Sequence, residues 1–587
     1  LAKPGAGLSK SGAGSHQPGA GSSRPNAAAL APVPAGLVRV IPLGGVGEIG
    51  KNMMAIEQGD DIVIVDSGLM FPDEEMLGID LVIPDITYLL QRKQKVRGIL
   101  ITHAHEDHIG ALPYVLRDLG DVPLYGTKLT LGLIRTKLKE HKLAERTTYR
   151  EITPGTPFRV GVFDCDSYNV CHSIPDAVGM TIETARGTIV HSGDWKFDHT
   201  PVDGRQTDFA RLAEIAAKGV LLLLSDSTRA EVPGYTPSER HVGELLDAIF
   251  ARASGRVITT TFASNISRIK QIVEIAAAWG RKTAIIGRSM ENYTRTAKEL
   301  GYLDFPDGSI VHAGDIGKHP DHEICIITTG SQGEPTSALS RMALGDHRHV
   351  AVKEGDTVVM SSNPIPGNEE LVSRTIDNLF KLGADVVYDV SNRPHVSGHA
   401  SQEELKLLLN ILRPQHFVPI HGEYRMLVRH AKMAVDVGVA QENAFILTNG
   451  DVLEFSPKGA RVAERVHAGQ VYVDGLGVGD VSQSVMRDRW SIGSDGVLVV
   501  VVTIEHQTGM VVAGPDIITK GFVPDQDATG LLEEARQKVL DGLAAAQTGP
   551  RLAETSALKT AIHESLASFL YNKTKRRPMV LPVIMQV

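Results

Sequence analysis

Apolar positions in this chain come in short bursts of strand length, and burst after burst stops on an ionisable residue. The run LVRVIPLGG (37–45) predicts the first strand. NMMAIEQGDDIVIVDSG (52–68) reads as two strands joined by a turn, the second ending on Asp66. VRGILIT (96–102) delivers the chain into His103, and IGALPYVLRDLG (109–120) then has helical spacing up to Gly120. GVFDCDSYNVCHS runs into His172, and GMTIETARGTIVHSGDW predicts a hairpin running into Asp194. Histidines and aspartates scattered through a core by chance would not keep that phase, whereas reactive groups collect where strands give way to loops.

From about residue 218 the texture changes. GVLLLLSDST (219–228) predicts a buried strand ending at Asp226. Strand and helix then alternate: RVITTTF with SRIKQIVEIAAAWG, KTAIIG with NYTRTAKELG, EICIITTG with SALSRMALG. Such alternation predicts right-handed βαβ units on a parallel sheet. DTVVMSS (356–362), a helix around 369–382 and the strand–helix stretch 416–438 follow, the last with His421 at its junction. Residues 456–470 are polar and read as a linker. The remainder predicts a separate small α/β domain, with the β-branched run GVLVVVVTI (496–504), two helices and a last strand MVLPVIMQV. Residues 1–37, mostly Gly, Ala, Ser and Pro, hold too few large apolar side chains to offset ordering entropy, so a disordered tail is expected.

Length agrees with several cores, since 587 residues correspond to about three to five domains. No run reaches the roughly 18 apolar residues of a membrane span, and the start lacks the cationic-then-apolar order of a signal peptide. Cys165, Cys171 and Cys325 cannot build a disulfide framework; buried thiols in a reducing cytoplasm are expected. A net charge of −9 argues against a non-specific nucleic-acid binder. It argues less against an enzyme, because a local basic channel can sit on an acidic body. GGVGEIGKN (44–52) comes close to a phosphate-binding loop through Gly45, Gly50 and Lys51. Asn52 replaces the hydroxyl residue, however, and a strand follows where a helix is required, so it is read as a tight turn near the cleft.

The densest chemistry is HAHEDH, residues 103–108, with three histidines and two acids in six positions. Imidazole and carboxylate suit zinc or a similar cation. In an extended loop His103 and His105 point the same way, and Asp107 and His108 turn elsewhere as a helix begins. One loop can therefore serve two metals.

With Asp66 before it and His172 and Asp194 after it, this motif resembles the metallo-β-lactamase superfamily. The resemblance implies an αββα sandwich. It assigns His103, His105 and His172 to the first metal, Asp107 and His108 to the second, and Asp194 to both, with Asp66 orienting a ligand or the nucleophile. Three later features resemble the β-CASP, nucleic-acid-processing branch: LSDST with Asp226, VSGHAS with His399, and PIHGEYR with His421, which would complete the second metal's shell. His399 would contact the scissile phosphate or protonate the leaving 3′ oxygen, and Asp226 would hold its tautomer. A histidine at the third motif is associated in that branch with RNA substrates. PLGGVGEIGKN, THAHEDHIG, SNPIPGNE and RPHVSGHAS together are similar to the ribonuclease J family.

That family implies an α/β architecture: a sandwich core over 38–228 and 362–455, a β-CASP parallel-sheet insertion over 229–361, the linker, and a C-terminal domain over 471–587. It implies a cytoplasmic ribonuclease of mRNA decay and RNA maturation, working 5′→3′ from 5′-monophosphate ends, with endonuclease activity as well. The cofactors would be two divalent ions per subunit, zinc first, with manganese and magnesium as the alternatives. They would activate a hydroxide for in-line attack. The implied partners are single-stranded RNA, further copies forming a homodimer or homotetramer, and an RNA-degradation complex, but no membrane. A 5′-phosphate pocket is expected at TTGSQGE and SGHAS, through Gly330, Ser331, Ser397, His399, Ala400 and Ser401. Two rivals leave residues unexplained. A lactonase- or glyoxalase-like small-molecule hydrolase has no use for the insertion, Asp226 or His399, and a silent RNA-binding subunit has none for the full ligand set.

Overall fold

The computed structural model describes residues 34, 36–73, 75–364, 368–389, 394–475, 477–506, 508, 510–524, 528–546 and 554–587. The expected tail falls almost wholly outside them. An eight-stranded sheet runs, in spatial order, Gly459–Val462, Leu453–Ser456, Val38–Gly44, Met53–Gln58, Asp61–Val65, Val96–Leu100, Leu124–Gly126 and Tyr149–Glu151. A six-stranded sheet runs His416–Ile420, Val220–Asp226, Gly187–His191, Val178–Thr184, Phe163–Asn169 and Phe158–Val160. Strand alternation explains how they stack. Val38, Val40, Met54, Ile56, Val63 and Val65 meet Cys165, Met180, Ile182, Leu222 and Leu224 between the sheets. Their neighbours Ile41, Leu43, Ala55, Ile62 and Ile64 face the helices Leu112–Leu119 and Lys128–Glu140. On the far side of the second sheet lie the helices Phe209–Lys218, Gln402–Leu412 and Tyr424–Asp436. With both faces of each sheet covered, the strands read as continuous apolar runs. This is the αββα sandwich.

The inserted sheet is wholly parallel, in the order Lys282–Ile286, Ile324–Thr328, Val257–Thr260, Thr357–Met360 and Asp385–Val387. It therefore continues past residue 361, where the sequence suggested its end. Val372, Ile376 and Leu379 of the helix Glu369–Lys381 pack into its core, completing one more βαβ unit. The Pro- and Gly-rich SNPIPGNE stretch is thus a loop within the insertion, and residues 365–367 of it lie outside the described residues.

Two other boundaries differ from the expectation. The linker begins as a strand, because Gly459–Val462 pairs with Leu453–Ser456 at the edge of the large sheet. Gln470–Asp474 then pairs with Leu81–Pro84 of the core. The C-terminal sheet itself, Val511–Lys520, Val497–Ile504 and Met579–Gln586, starts only at residue 497 and packs one face on the helices Ala528–Ala546 and Thr555–Thr574. The basic run near its end is tied into this domain: Lys573 pairs with Glu534, Arg576 donates to the Phe522 carbonyl, and Arg577 lies over the Tyr571 ring. The three cysteines are buried free thiols. Among the described residues no helix is long and apolar enough to cross a membrane.

Candidate metal centre

The parallel pairings place the functional strand ends together. Asp61–Val65 runs parallel to Val96–Leu100, so Asp66 and Thr102–His103 leave the first sheet side by side. In the second sheet Gly187–His191, Val220–Asp226 and His416–Ile420 are parallel neighbours, so Asp194, Asp226 and His421 emerge at one edge. Asp66 and His421 leave their strands at positive φ, 62° and 51°. That conformation is costly for a side-chain-bearing residue, and here it turns each group into the site. The GGVGEIGKN turn braces the same edge: His421 N donates to the Gly45 carbonyl, and Val46–Gly47 pairs with Gly422–Glu423. Its lysine is buried against Glu48. Gly68 has no room for a side chain, since a Cβ would fall 1.5 Å from the Asp107 carbonyl oxygen.

Candidate donor atoms from these segments lie together in groups. His103, His105, His172 and Asp194 offer one; Asp107, His108, Asp194 and His421 offer another. Their outward ring nitrogens are engaged by the protein. His108 Nδ1 donates to Asp66 at 2.8 Å, and His172 Nδ1 donates to the Gly398 carbonyl at 2.8 Å. His103 Nδ1 meets Thr102 Oγ1 at 3.0 Å and His421 Nδ1 meets Thr228 Oγ1 at 2.9 Å. Ser173 lies 3.4 Å from His105 Nε2. Such outer partners fix the tautomer and turn the inner nitrogen toward a cation.

The inner atoms test the fit. His105 Nδ1 lies 3.0 Å from His103 Nε2 and 3.1 Å from His172 Nε2. With their protons on Nδ1, His103 and His172 turn Nε2 lone pairs on His105 Nδ1, a spacing that either a proton on His105 Nδ1 or a cation among the three nitrogens accommodates. Tetrahedral zinc with bonds of about 2.0–2.1 Å separates its donors by roughly 3.3 Å, close to this spacing. At the other set, Asp194 Oδ2 is 3.2 Å from His108 Nε2, and Asp107 Oδ2 is 3.1 Å from His421 Nε2. Asp194 Oδ2 also lies 3.7 Å from His103 Nε2 and 3.8 Å from His172 Nε2, so one carboxylate faces both sets.

Charge divides the sets further. Burial pushes His103 and His172 well below the usual imidazole range and His105 down to about 4, which keeps all three neutral donors. Around the second set burial is overcome. Asp194, Asp107 and Asp66 hold His108 well above its usual value, and Asp194 with hydrogen bonds to Asp107 and Asp226 lifts His421 to about 10. Against the same burial, His108 and His421 hold Asp107 and Asp194 below the carboxylate range. This is a crowd of carboxylates whose charge the imidazolium protons offset, and a divalent cation would displace those protons.

Beside the sets, His399 Nδ1 donates to Asp226 Oδ2 at 2.7 Å. Asp194, Asp226, His399 and His421 also cluster as donors. Asp226 is already engaged by His399 and the Thr228 hydroxyl, however, so this group reads as a proton network.

The expected phosphate pocket is less uniform. Gly330 and Ser331 sit at the end of an inserted strand; a Cβ on Gly330 would meet Ser337 Oγ at 2.5 Å, and Ser331 is buried beside Gln332, which donates to the Asn363 carbonyl. Ser397 is half-buried and accepts from His399 N. Ala400 packs into the core. Ser401 is fully buried, its hydroxyl engaged by Thr236 and Arg229 and its N–H by Glu404, so it supports the loop from beneath. Sequence reasoning missed Thr102, Thr228, the Gly398 carbonyl and Asn52, whose Nδ2 lies 3.1 Å from His108 Nε2. Asn52 had drawn notice only as the residue that spoils a phosphate-loop motif.

Four family models match successive stretches: "Beta-lactamase superfamily domain" over 78–212, "Ribonuclease J, beta-CASP domain" over 254–379, "Zn-dependent metallo-hydrolase RNA specificity domain" over 383–447, and "Ribonuclease J C-terminal domain" over 484–587. Ribonuclease J2 of Bacillus subtilis (strain 168) is 46% identical over 551 residues, which is 94% of this chain and 99% of that protein. Ribonuclease J 1 of Streptococcus pyogenes serotype M3 is 42% identical over 548 residues, 93% of this chain and 97% of that one. A crystal structure of a protein of unknown function from Enterococcus faecalis V583 shares the fold at a TM-score of 0.50 and 17% identity, covering 74% of this chain and 100% of that one.

Proposed function

The chain belongs to the ribonuclease J family, a nuclease hydrolase by that kinship, and on this premise we propose that it degrades RNA processively from 5′-monophosphate ends and also cuts internally. The observation that carries the reading is the Asp226–His399 pair held against two metal-donor sets. A lactonase-like hydrolase needs the donor sets but not the pair. Two divalent ions in these sets would supply a hydroxide at neutral pH and stabilise charge on the attacked phosphorus. The histidine-rich first set suits zinc, and the mixed second set also accepts manganese or magnesium.

The protein's own groups do the rest. Asp66 and Thr102 lock the rings of His108 and His103. Asp226 fixes the proton of His399 on Nδ1, which leaves Nε2 to meet the substrate. The 5′-phosphate is taken by Gly330, Ser331, Ser397 and the backbone at His399–Ala400, with Ser401 supporting that loop. End-labelled RNA with a 5′-monophosphate should be consumed faster than the same RNA with a triphosphate, releasing mononucleotides from the 5′ end. Equal rates would defeat the 5′-end reading while leaving the nuclease intact.

Two or four copies associate through the C-terminal domain, as part of an RNA-degradation assembly in the cytoplasm. Supporting this, the sheet face turned away from the helices exposes Val512, Ile518, Leu581, Val583 and Met585. Asp516 stands among them opposite Val501, and a largely apolar face of this kind suits contact with another chain. Leu581→Glu with Val583→Glu should convert the protein to monomers in analytical ultracentrifugation with metal content unchanged. An unmodified protein that already sediments as a monomer would refute the assignment.

A further inference from the structure

Glu404 belongs to the first turn of the helix Gln402–Leu412, where S-x-x-E from Ser401 forms an ordinary capping box. Its surroundings exceed that role. The carboxylate is fully buried and accepts from three main-chain N–H groups, with the Arg229 guanidinium near enough to add a Coulombic attraction. Oε1 accepts from Phe197 N at 2.8 Å, three residues after Asp194. Oε2 accepts from Thr236 N at 2.7 Å and from Ser401 N at 2.8 Å, two residues after His399. The Thr236 hydroxyl in turn donates to the His399 carbonyl at 2.7 Å and meets Ser401 Oγ at 2.8 Å.

One carboxylate thus ties together the segments that follow three different functional groups: Asp194, Asp226 and His399. Each segment is irregular chain held by a few backbone bonds, Lys196 N to the Cys171 carbonyl and Gln402 N and Glu403 N to the Val232 and Gly234 carbonyls, and Glu404 adds the one tie common to all three. A buried carboxylate costs stability unless its lone pairs are filled, and filling them with backbone N–H groups makes it a rigid staple. His399 gains most, because the chain is held at Ser401 and at its own carbonyl.

We propose that Glu404 is a positioning residue for the hydrolytic step, fixing the backbone on which His399 meets the substrate. The proposal rests on the reading of His399 given above. Glu404→Gln tests it with little change of shape. An amide oxygen can replace one carboxylate oxygen, but the amide NH₂ then opposes Phe197 N in one orientation and both Thr236 N and Ser401 N in the other, so one or two of the three ties are lost. The expected result is a fall in kcat of about 10- to 100-fold, typical of a partner one step behind the chemistry, with KM for RNA and metal content unchanged.

The deciding measurement is the double-mutant cycle with His399→Ala. If Glu404 acts through His399, Glu404→Gln costs little further once His399 is gone. Multiplying losses, a loss of metal, or an unchanged kcat in the single variant would each overturn the proposal. His399→Ala near the wild-type rate would instead overturn the reading of His399. Thr236→Val supplies a second variant that leaves the buried carboxylate intact: it removes the hydroxyl's ties to the His399 carbonyl and to Ser401 Oγ, both in the His399 loop, and its smaller loss of kcat should likewise vanish in the His399→Ala background. Persistence of that loss counts against the proposal, and this variant decides the matter should Glu404→Gln fail to fold.

Discussion

Asp194→Ala is expected to empty both metal sites together and to lower hydrolysis by at least about 10³-fold. The size follows from the several kcal/mol of charge stabilisation that metals supply, at 1.36 kcal/mol per tenfold. The breadth follows from geometry. Asp194 Oδ2 lies within 3.2–3.8 Å of inner nitrogens of His103, His108 and His172, and Asp194 Oδ1 lies 3.5 Å from His421 Nδ1. Removing it takes a candidate ligand from each set and strips His103 and His172 of the carboxylate that faces them. Single losses elsewhere should be narrower. His103→Ala should lower metal content by one ion per chain, and Asp66→Asn, which touches His108 only through its outer nitrogen, should cost about 10- to 100-fold. Metal analysis of purified variants, beside cleavage of end-labelled RNA, separates these cases. Two ions retained in Asp194→Ala would contradict a shared ligand, provided near-ultraviolet circular dichroism shows the fold intact.

Much of this centre was legible because its parts are local. HAHEDH places candidate donors in both sets from six consecutive residues, and the strands that precede Asp66, His172, Asp194 and Asp226 announce themselves by apolar runs. His421 is different. It is 314 residues from Asp107, and parallel pairing of its strand with Val220–Asp226, braced by the turn at Gly45–Gly47, brings it back. Nothing in its local sequence encodes that return, and it was placed through resemblance. The groups that orient the rings were invisible for another reason. Thr102, Thr228 and Asn52 are common residue types whose function lies wholly in direction, and a backbone carbonyl such as that of Gly398 has no sequence signal at all. Domain edges failed where loop composition mimicked a boundary. SNPIPGNE looks like a domain end, yet the strand Asp385–Val387 beyond it still pairs with Thr357–Met360. Likewise Gln470–Asp474 left its expected domain because its partner, Leu81–Pro84, lies far back in the chain.

His399→Ala should lower kcat by about 10²- to 10⁴-fold, the usual contribution of a positioned proton donor, while both metals stay bound. Burial alone would lower the pKa of His399, but the Asp226 carboxylate 2.7 Å away raises it above the usual imidazole value, which favours the charged form. In hydrolysis, water adds to phosphorus as the bond to the 3′ oxygen breaks, and that oxygen must collect a proton to leave as an alcohol. An imidazolium whose Nδ1–H is committed to Asp226 has Nε2–H available for the transfer. The alternative is that His399 only contacts the non-bridging phosphate oxygens. A substrate with sulfur at the bridging 3′ position separates the two, because a thiol pKa of about 8.5 lets sulfur depart as thiolate without protonation. If His399 is the acid, His399→Ala should cleave the sulfur-bridged RNA at close to the wild-type rate while remaining slow on the natural linkage. If it only grips the phosphate, both linkages should suffer equally. Asp226→Asn should follow His399→Ala on both substrates, since an amide no longer supplies the negative charge that raises the ring's pKa, and a neutral imidazole is a far weaker proton donor than an imidazolium.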